Sequence, residues 1–519
     1  MTTRHFDVVV VGAGNAGLVA ALAAFEVGAR VLVLEAAGKS ERGGNSRFSG
    51  GIFRFVHDGL ESLRPLLGSS SDRWLDRVKV AGYGRDRYIN DWMATSAGRP
   101  PRALVEAVVD RSRGTVDWMH SKGVAWELTA DKLWDPSKVS DSKAVDLPPG
   151  GAVRASGEGV GLVDRLFAAV EAAGIEIWYD APAAGLIVSG STVEGVRVRR
   201  HAAFDDVRGN VVLASGGFES NPELRLRYLG RGWDLVKVRG TRFNMGTMLI
   251  QALNAGAQPA GHWGGAHASP IDADAPAVGD LRLTDKMSRY SYPYALLVNV
   301  DGDRFVDEGE DQVWLTYAKT GWAIQDQPRG KAFQIFDQST IHLLEPRYRT
   351  STAVQSDTVE GLASQLGISP TRLVQTVRTF NHATPAAAAT RFDPLTNDGL
   401  IAEPIGQPRK SNWSRPIDRG PFVAYAVTCG ITFTYGGLKI DSSAQVIDTE
   451  GRPMPGLYAA GEIVGDFFYH NYAGGAGLMR GAVFGRFAGS NAARARLDSP
   501  EAAATSPLRA GSAVESAGD

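Results

Sequence analysis

The 519-residue sequence predicts an α/β fold whose sheet is mainly parallel. Near its start, an apolar run at residues 6–11 leads directly into a glycine-rich turn, an alanine-rich stretch and a second apolar run at residues 31–34. Similar runs at residues 211–213 and 457–459 also end in glycine turns, as buried parallel strands often do. Residues 263–427, in contrast, are rich in aromatic residues, proline and polar loops. These features predict a discontinuous Rossmann-like domain that is interrupted by an inserted α+β domain.

This organisation divides the chain into four expected segments. Residues 1–262 and 428–496 form the two parts of the nucleotide-binding domain. Residues 263–427 form the inserted capping domain, which we expect to contribute to the substrate site. Residues 497–519 are rich in Ser, Ala and Pro, a composition that predicts a disordered tail.

The first glycine turn carries the strongest local signal. Gly12 permits the tight turn after the strand, Gly14 lets the backbone approach a pyrophosphate, and Gly17 lets the helix pack closely on the strand. The start of that helix offers unpaired N–H groups and a partial positive charge to phosphates. Glu35 follows about 20 residues later, where an acid accepts ribose hydroxyls and disfavours a 2′-phosphate. Strand, turn, helix, strand and acid in this order predict a dinucleotide site.

Composition and charge exclude several other classes of protein. Apolar residues make up 44% and charged residues 22% of the chain, as in globular proteins. The net charge of −2, without long basic runs, argues against nucleic acid and anionic membranes as partners. No apolar run reaches the length of about 18 residues that predicts a membrane span, and no histidine or cysteine spacing predicts a metal site. The single cysteine, Cys429, and a first strand that begins near residue 6, without space for a signal peptide, favour the cytoplasm.

Further motifs accompany the first turn and together identify a family. In chain order they are GAGNAG with Glu35, RGGNSRFSGG, ASGGF, GGLKID and GLYAAGE. From residue 1 to about residue 495, the sequence resembles the FAD-dependent fumarate reductase/succinate dehydrogenase flavoprotein superfamily. The segments SGGFESNPELRLRYLG, VNVDGDRFVDEG, VTCGITFTYGG and YHNYAGGAGL are most similar to the tricarballylate dehydrogenase-like subgroup. The 3-ketosteroid Δ1-dehydrogenases and the 4-oxocyclohexanecarboxylate desaturases are related branches.

The resemblance implies FAD as the cofactor, held mainly by glycine-rich turns that allow close approach of the backbone. Ala183 would contact the adenine, Glu462 the ribityl chain or a phosphate, and the turn at residues 474–477 would direct a helix N-terminus at flavin N1 and O2. In succinate dehydrogenases a histidine binds FAD covalently; here Arg47 lies near that place, so we expect non-covalent FAD. The expected cofactor-binding residues are Gly12, Gly14, Asn15, Ala16, Gly17, Glu35, Gly43, Gly44, Asn45, Ser46, Ser49, Gly50, Gly51, Ala183, Ala214, Ser215, Gly216, Gly217, Gly461, Glu462, Gly475, Gly477 and Leu478.

The superfamily moves two hydrogens across a carbon–carbon bond next to a carbonyl group. One is exchanged as a proton with a side chain, and the other as a hydride with the flavin. Fumarate reductases clamp two carboxylates with arginines and histidines. His267 matches the first of these histidines, whereas Gln312, Phe433 and Tyr472 stand in place of an arginine, a histidine and a further arginine. Carboxylates without cationic partners are costly to bury, so a fumarate site is disfavoured.

Tyrosines stand where the carboxylate clamps are missing. Ketosteroid-type relatives use tyrosines to polarise a ketone and to remove a proton, and the α-proton of a ketone is far more acidic than that of a carboxylate. We interpret Tyr290 and Tyr294 as core aromatic residues, and Tyr472 as functional because it precedes the last glycine turn. The expected catalytic residues are Tyr472, Tyr317, Tyr292 and His267.

The remaining expectations concern the substrate. Arg54, together with Arg47, would bind a single carboxylate such as that of an oxocyclohexane carboxylate. The expected substrate-binding residues are Arg54, Gln312, Phe433 and Trp314.

Three functions stay open at this point. The preferred hypothesis is FAD-dependent α,β-desaturation of a small ketone or keto acid, preferably cyclic. A dehydrogenase or reductase of a polycarboxylate such as tricarballylate comes next, although no arginine follows the DEG segment as it usually does in that subgroup. A flavin-binding protein without redox turnover is the third. Oxygen, a quinone or a redox protein are all open as electron acceptor, and the lack of haem or iron–sulfur cysteines favours substrate oxidation.

Overall fold

A computed structural model describes residues 3–130, 145–200 and 203–498. Apart from residues 497 and 498, the predicted disordered tail lies outside the described residues. The described chain forms an eight-stranded sheet, a six-stranded sheet and two small two-stranded sheets. This mixed architecture confirms the predicted α/β class.

The strands are numbered in chain order. They are β1 Thr3–Val11, β2 Val31–Leu34, β3 Val78–Val80, β4 Trp126–Leu128, β5 Val145–Leu147, β6 Val153–Ala155, β7 Glu176–Trp178, β8 Ala183–Ser189, β9 Thr192–Arg200, β10 Ala203–Leu213, β11 Lys237–Val238, β12 Pro259–Asp272, β13 Leu296–Asn299, β14 Lys331–Phe336, β15 Val354–Ser356, β16 Phe422–Leu438, β17 Gln445–Ile447 and β18 Pro453–Ala459.

The α-helices pack on these sheets or connect their strands. They span Asn15–Glu26, Leu60–Leu63, Asp72–Leu75, Arg85–Thr95, Arg102–Ser121, Glu158–Ala172, Pro222–Leu229, Thr247–Asn254, Val313–Gln325, Val359–Leu366, Pro370–Ala383, Ala388–Arg391 and Ala476–Leu497.

The eight-stranded sheet is the nucleotide-binding sheet that the apolar runs predict. Its main path is β17-β18-β10-β1-β2-β7, and β1 pairs in parallel with both β2 and β10. Val8, Val9 and Val10 have no exposed surface, as is usual for a central strand of a parallel sheet. The carboxyl ends of β1, β2, β10 and β18 therefore meet at one edge, where ligands of such sheets bind.

Two helices pack at unusually close range beside this sheet. The C-terminal helix, Ala476–Leu497, crosses the first helix, Asn15–Glu26, and presents glycines to its backbone. A Cβ atom on Gly489 would lie 2.0 Å from the Ala20 carbonyl oxygen, and one on Gly485 would lie 2.6 Å from that of Ala16. Only glycine allows this separation, so the sequence fixes how closely the two helices approach.

The six-stranded sheet is mainly antiparallel and centres on the long strand β16. Strand β12 pairs with β16 over most of its length, and β11, β14 and β15 also pair with β16. The predicted domain boundaries at residues 263 and 427 fall inside β12 and β16. Residues of this sheet reach back to the edge of the first sheet and complete the site described below. Within the described ranges, no helix combines the length and apolar character needed to cross a membrane.

Candidate active site

A cavity of about 280 Å³ lies at the carboxyl edge of the parallel sheet. One end is lined by the turns that follow β1, β2 and β10 and by Ala183. The other end is lined by aromatic residues of the capping region, His267 and Tyr472 among them. We call these the dinucleotide end and the substrate end.

At the dinucleotide end, glycines leave the space that a ligand backbone would occupy. Gly12 adopts a φ of +102°, and a Cβ atom there would lie 2.4 Å from the Ala214 carbonyl oxygen. A Cβ atom on Gly14 or Gly44 would meet no protein atom closer than 3.4 Å, because both positions face the cavity. Gly17 lies outside the lining, where a Cβ atom would be 1.9 Å from the Gly12 carbonyl oxygen. Its role in this structure is the predicted close packing of helix on strand.

Glu35 lies at the same end, as its place after β2 predicts. Its carboxylate accepts hydrogen bonds from Ala13 N at 3.2 Å and from Ala37 N at 2.9 Å, and it lines the cavity. Burial raises its pKa, and the backbone donors oppose that shift. The side chain thus lies in the cavity wall with a backbone donor on each oxygen, at the place where the motif predicts a ribose contact.

Most of the expected cofactor residues line the cavity. Gly43 and Gly217 do not. Gly43 makes room for Val163, and Gly217 makes room for Glu462, whose Oε1 would lie 2.2 Å from a Cβ atom there. The expected residues that line the cavity are Gly12, Gly14, Asn15, Ala16, Glu35, Gly44, Asn45, Ser46, Ser49, Gly50, Gly51, Ala183, Ala214, Ser215, Gly216, Gly461, Glu462, Gly475, Gly477 and Leu478.

The start of the C-terminal helix is engaged by a tyrosine. The hydroxyl of Tyr472 accepts hydrogen bonds from Gly475 N at 2.8 Å and from Gly477 N at 3.1 Å. The resemblance would direct the N–H groups of this turn at the flavin, whereas two of them bind Tyr472 in this structure. Burial raises the pKa of Tyr472, and the two backbone donors oppose that shift. Among the described residues, no acceptor binds the proton of this hydroxyl, which is thus available to a ligand.

His267 lies at the centre of an aromatic cluster at the substrate end. Its ring centroid is 5.0 Å from those of Tyr317 and Phe433 and 5.1 Å from that of Tyr472. His267 and Phe433 are paired residues on β12 and β16, which explains their contact. Burial, and then the charge of Arg239, hold the pKa of His267 well below its usual range. The imidazole is therefore neutral, and its Nδ1 has no hydrogen-bond partner in the described part of the chain.

The helix Val313–Gln325 contributes Trp314 and Tyr317 to the cavity. Burial raises the pKa of Tyr317 well above its usual value, so its phenol is protonated at neutral pH. Tyr317 also packs on Tyr290, whose ring centroid is 4.8 Å away. Tyr290 lines the cavity, although its sequence context suggests a core residue. Tyr292 does not line it: it is buried, and its hydroxyl lies 2.5 Å from Thr316 Oγ1.

Two expected substrate-binding residues lie elsewhere. Arg54 is buried outside the cavity lining, where Nε donates to the Gly474 carbonyl at 2.8 Å and Nη1 contacts Tyr83 and Asp91. It supports the C-terminal turn from behind instead of facing a substrate. Gln312 lines a separate cavity of about 30 Å³, and its Nε2 donates to Asn397 Oδ1 at 2.9 Å.

Sequence reasoning missed an ion pair in the substrate end. Arg239 and Asp285 line the cavity and form a buried salt bridge with each other. Arg239 Nε donates to Ser288 Oγ at 3.0 Å and Nη1 to Thr432 Oγ1 at 3.2 Å, and Asp285 also pairs with Arg347 at 2.7 Å. These residues come from three distant segments without a motif, so no local pattern marks them.

Arg480 is the second cation that the motifs do not reveal. It lines the cavity, is 3% exposed, and lies 4.7 Å from the centroid of the Phe468 ring. Nη1 donates to the Val464 carbonyl at 3.0 Å, while Nε is buried without a partner among the described residues. Burial lowers the pKa of Arg480 to about 10. The unpartnered N–H is a buried donor in the wall that adjoins Glu462.

A parallel sheet with a glycine-lined cavity at its carboxyl edge and a helix N-terminus beside it defines a dinucleotide-binding protein of the Rossmann class. The cavity is closed by an aromatic second half, which is the arrangement of an enzyme that holds a cofactor against a small substrate.

The sequence profile of the family described as "FAD binding domain" matches residues 7–478. The chain belongs to this family, which confirms the suspected flavoprotein superfamily and FAD as the cofactor. The glycine cradle, Glu35 and the helix that starts at Asn15 line the dinucleotide end and fit an FAD there. The protein is an FAD-dependent oxidoreductase.

Individual relatives show how the family has diversified. The chain is 29% identical over 503 residues to the probable fumarate reductase Ifc3 of Shewanella frigidimarina (strain NCIMB 400), covering 95% of this chain and 75% of that protein. It is 27% identical over 533 residues to the 4-oxocyclohexanecarboxylate 2-dehydrogenase of Sinomonas cyclohexanicum, covering 90% and 89%. The crystal structure of 3-ketosteroid delta1-dehydrogenase from Sterolibacterium denitrificans has a TM-score of 0.71 at 20% identity, covering 94% and 99%. This last likeness shows the shared fold.

Proposed function

We propose that this protein catalyses FAD-dependent α,β-desaturation of a ketone, preferably a cyclic one. The observation that carries this proposal is the Tyr472 hydroxyl, which accepts two backbone N–H groups and keeps its own proton for a ligand. Bound FAD would supply a two-electron acceptor for the hydride that leaves the β-carbon of the ketone. The residues of the chain bind the ketone and take the proton.

Tyr472 polarises the carbonyl. A phenol that accepts two N–H donors at a helix start is a stronger donor to a third group, because the partial charges of those donors pull electron density from its oxygen. A ketone oxygen at the Tyr472 hydroxyl would thus gain stabilisation as the α-proton leaves and negative charge develops on it. Tyr472 keeps its own proton, since burial raises its pKa.

We propose that His267 is the base that removes the α-proton. Its ring contacts the rings of both Tyr472 and Tyr317, and its lowered pKa leaves a free lone pair at neutral pH. Tyr317 is the alternative acceptor, as sequence reasoning prefers a tyrosine, but its raised pKa keeps it protonated. The aromatic walls exclude water from the reacting atoms, which strengthens each electrostatic contact.

The charges at the substrate end favour a ketone over a polycarboxylate. Arg239 is already paired with Asp285, and Arg54 faces away from the cavity. Of the described arginines that line the cavity, Arg239 is paired and Arg480 has one unpartnered N–H, so two or three carboxylates would lack matching cations and would be costly to bury. A single carboxylate, as in the substrate named for the Sinomonas relative, would be matched by Arg239 or by the unpartnered Nε of Arg480. A neutral cyclic ketone fits without any such contact.

Non-covalent FAD is part of the proposal. Arg47, which lies near the place of the linking histidine, forms a salt bridge with Asp164 at 2.8 Å and lies outside the cavity lining. Acid precipitation should therefore release all of the yellow colour into the supernatant. A cytoplasmic location stays a prediction from sequence, and the electron acceptor is a separate question.

Anaerobic reduction of the bound flavin tests the proposed reaction. The holoenzyme is mixed with cyclic ketones, oxocyclohexane carboxylates, tricarballylate and succinate, and the flavin absorbance is followed. Cyclic ketones, with or without a carboxylate, should bleach the flavin. Bleaching by tricarballylate or succinate alone would replace the proposal with a polycarboxylate dehydrogenase. No bleaching by any donor would support a flavin-binding protein without redox turnover.

A further inference from the structure

Two carboxyl groups lie next to each other at the dinucleotide end, one in the cavity wall and one buried behind it. Glu219 follows the glycine turn after β10 and has no exposed surface. Glu462 follows β18 and lines the cavity. One amide nitrogen contacts both groups: Asn244 Nδ2 lies 2.5 Å from Glu219 Oε1 and 3.5 Å from Glu462 Oε2. The two acids thus share a donor.

The remaining contacts leave room for a proton between the acids. Glu219 Oε1 also accepts from Asn45 Nδ2 at 2.5 Å, while its Oε2 is buried without a partner among the described residues. Glu462 Oε1 accepts from Thr434 N at 2.8 Å. A carboxylate oxygen that is buried without any donor is costly, and a proton on the pair removes that cost.

The charged groups around the pair do not neutralise it. Arg225 interacts electrostatically with Glu219, and Arg480 interacts electrostatically with Glu462. In the described part of the chain neither arginine lies within ion-pair distance of these acids, because each donates to backbone carbonyls instead. Burial, followed by the charge of Glu462, raises the pKa of Glu219 well above its usual value, and burial raises the pKa of Glu462.

We propose that Glu219 is a positioning residue of the FAD site, which shares one proton with Glu462 and so keeps a second negative charge out of the cavity wall. Two adjacent buried carboxylates do not both ionise readily. The pyrophosphate of FAD adds further negative charge to the same end, so FAD binds best to the singly protonated pair. FAD binding is thereby coupled to one proton, independently of the substrate.

Glutamine variants separate this coupling from a structural role. Apo-protein is titrated with FAD, and the quenching of FAD fluorescence gives Kd at a series of pH values. For the wild type, Kd should rise by up to about tenfold per pH unit once the pH exceeds the pKa of the apo pair, because the complex holds the proton more tightly. In Glu219→Gln, Glu462 ionises alone, and Kd should stay constant over the same range.

Two controls make the outcome decisive. Glu127 lies outside the cavity lining, and its carboxylate accepts hydrogen bonds from Arg154 and Ser156. Glu127→Gln should therefore keep the wild-type slope of Kd against pH. Glu462→Gln should remove the slope as Glu219→Gln does, and decides the matter if Glu219→Gln does not fold. Infrared difference spectra across the same pH range should show one carboxylic-acid band that both variants lack. A wild type without a slope, or a Glu219→Gln protein that keeps it, would overturn the proposal.

Discussion

The two ends of the cavity are built from different parts of the polypeptide. The dinucleotide end is made of backbone: glycines after three parallel strands leave room for a ligand, and one helix start provides N–H groups. The substrate end is made of side chains, with His267, Tyr317 and Tyr472 packed ring against ring. A backbone site tolerates very few residue types at its close approaches, whereas a side-chain site changes its chemistry with each substitution. One fold can therefore keep its cofactor while its substrates diverge.

The largest effect is expected from a change in the backbone site. Gly17→Ala places a methyl group 1.9 Å from the Gly12 carbonyl oxygen, so the first helix must move away from the strand. We expect a loss of about 3 kcal/mol in the free energy of unfolding and no retention of FAD on purification. Gly114→Ala, an exposed position inside the helix Arg102–Ser121 where a Cβ atom meets nothing within 4 Å, is the matched control and should stabilise the protein in urea unfolding by up to about 1 kcal/mol. Full FAD occupancy in Gly17→Ala would contradict the packing argument.

A change in the side-chain site should spare the cofactor. Tyr472→Phe removes the hydroxyl that accepts Gly475 N and Gly477 N, and with it the donor to the ketone. We expect kcat for flavin reduction by a ketone to fall by about 10³-fold, with FAD content unchanged. Tyr292→Phe, which removes a buried hydroxyl outside the lining, should leave kcat unaltered and cost about 1 kcal/mol of stability. Equal losses of kcat in the two variants would show that the effect is structural.

The sequence predicts the two ends to very different extents. The turn at Gly12 and the acid Glu35 lie where their motif predicts, because a short local pattern specifies a backbone conformation and its neighbours. Arg239 and Asp285 belong to no motif: Arg239 directly follows β11 and Asp285 lies in the loop after β12, so only the tertiary fold brings the two side chains together. Arg54 has the right chemistry for an anion, but its side chain turns to the Gly474 carbonyl. Which way a side chain points depends on tertiary packing, and a lone sequence does not reveal it.

The buried His267 should make the stability of the protein depend on pH, and this dependence comes from the substrate end. Its pKa is lowered in the folded protein, so the unfolded chain binds more protons between the ordinary pKa near 6.5 and the lowered value. Stability should therefore fall as the pH decreases below about 6.5, by up to about 1.4 kcal/mol per pH unit. His267→Gln should remove this dependence in pH-resolved thermal unfolding.

The same variant tests the assignment of the proton acceptor. His267→Gln should lower kcat about 10²-fold and remove the acid limb of the pH–rate profile. If Tyr317→Phe lowers kcat and His267→Gln does not, the α-proton goes to the tyrosine. Either outcome leaves the affinity for FAD as in the wild type, because neither residue lies at the dinucleotide end.

The smallest effect is expected just outside the substrate end. Gln312 makes a hydrogen bond to Asn397 beside the small neighbouring cavity, and its loss in Gln312→Ala should cost no more than about 0.5 kcal/mol. Turnover with a ketone should change less than about twofold, since the residue does not line the main cavity. A large rise in KM would instead place a substrate contact at this position.

The close packing of the C-terminal helix on the first helix sets the distance between the two ends of the active site. The C-terminal helix begins at the turn that binds the Tyr472 hydroxyl. A few turns later, its Gly485 and Gly489 pack on backbone carbonyls of the first helix, which starts at the dinucleotide turn. The distance from the ketone-binding group to the cofactor cradle is thus counted in helical residues, at about 1.5 Å each. Inserting one residue before Gly485 would rotate the start of the helix by about 100° relative to its packed end. Each end of the active site would then be intact, but the enzyme would be inactive.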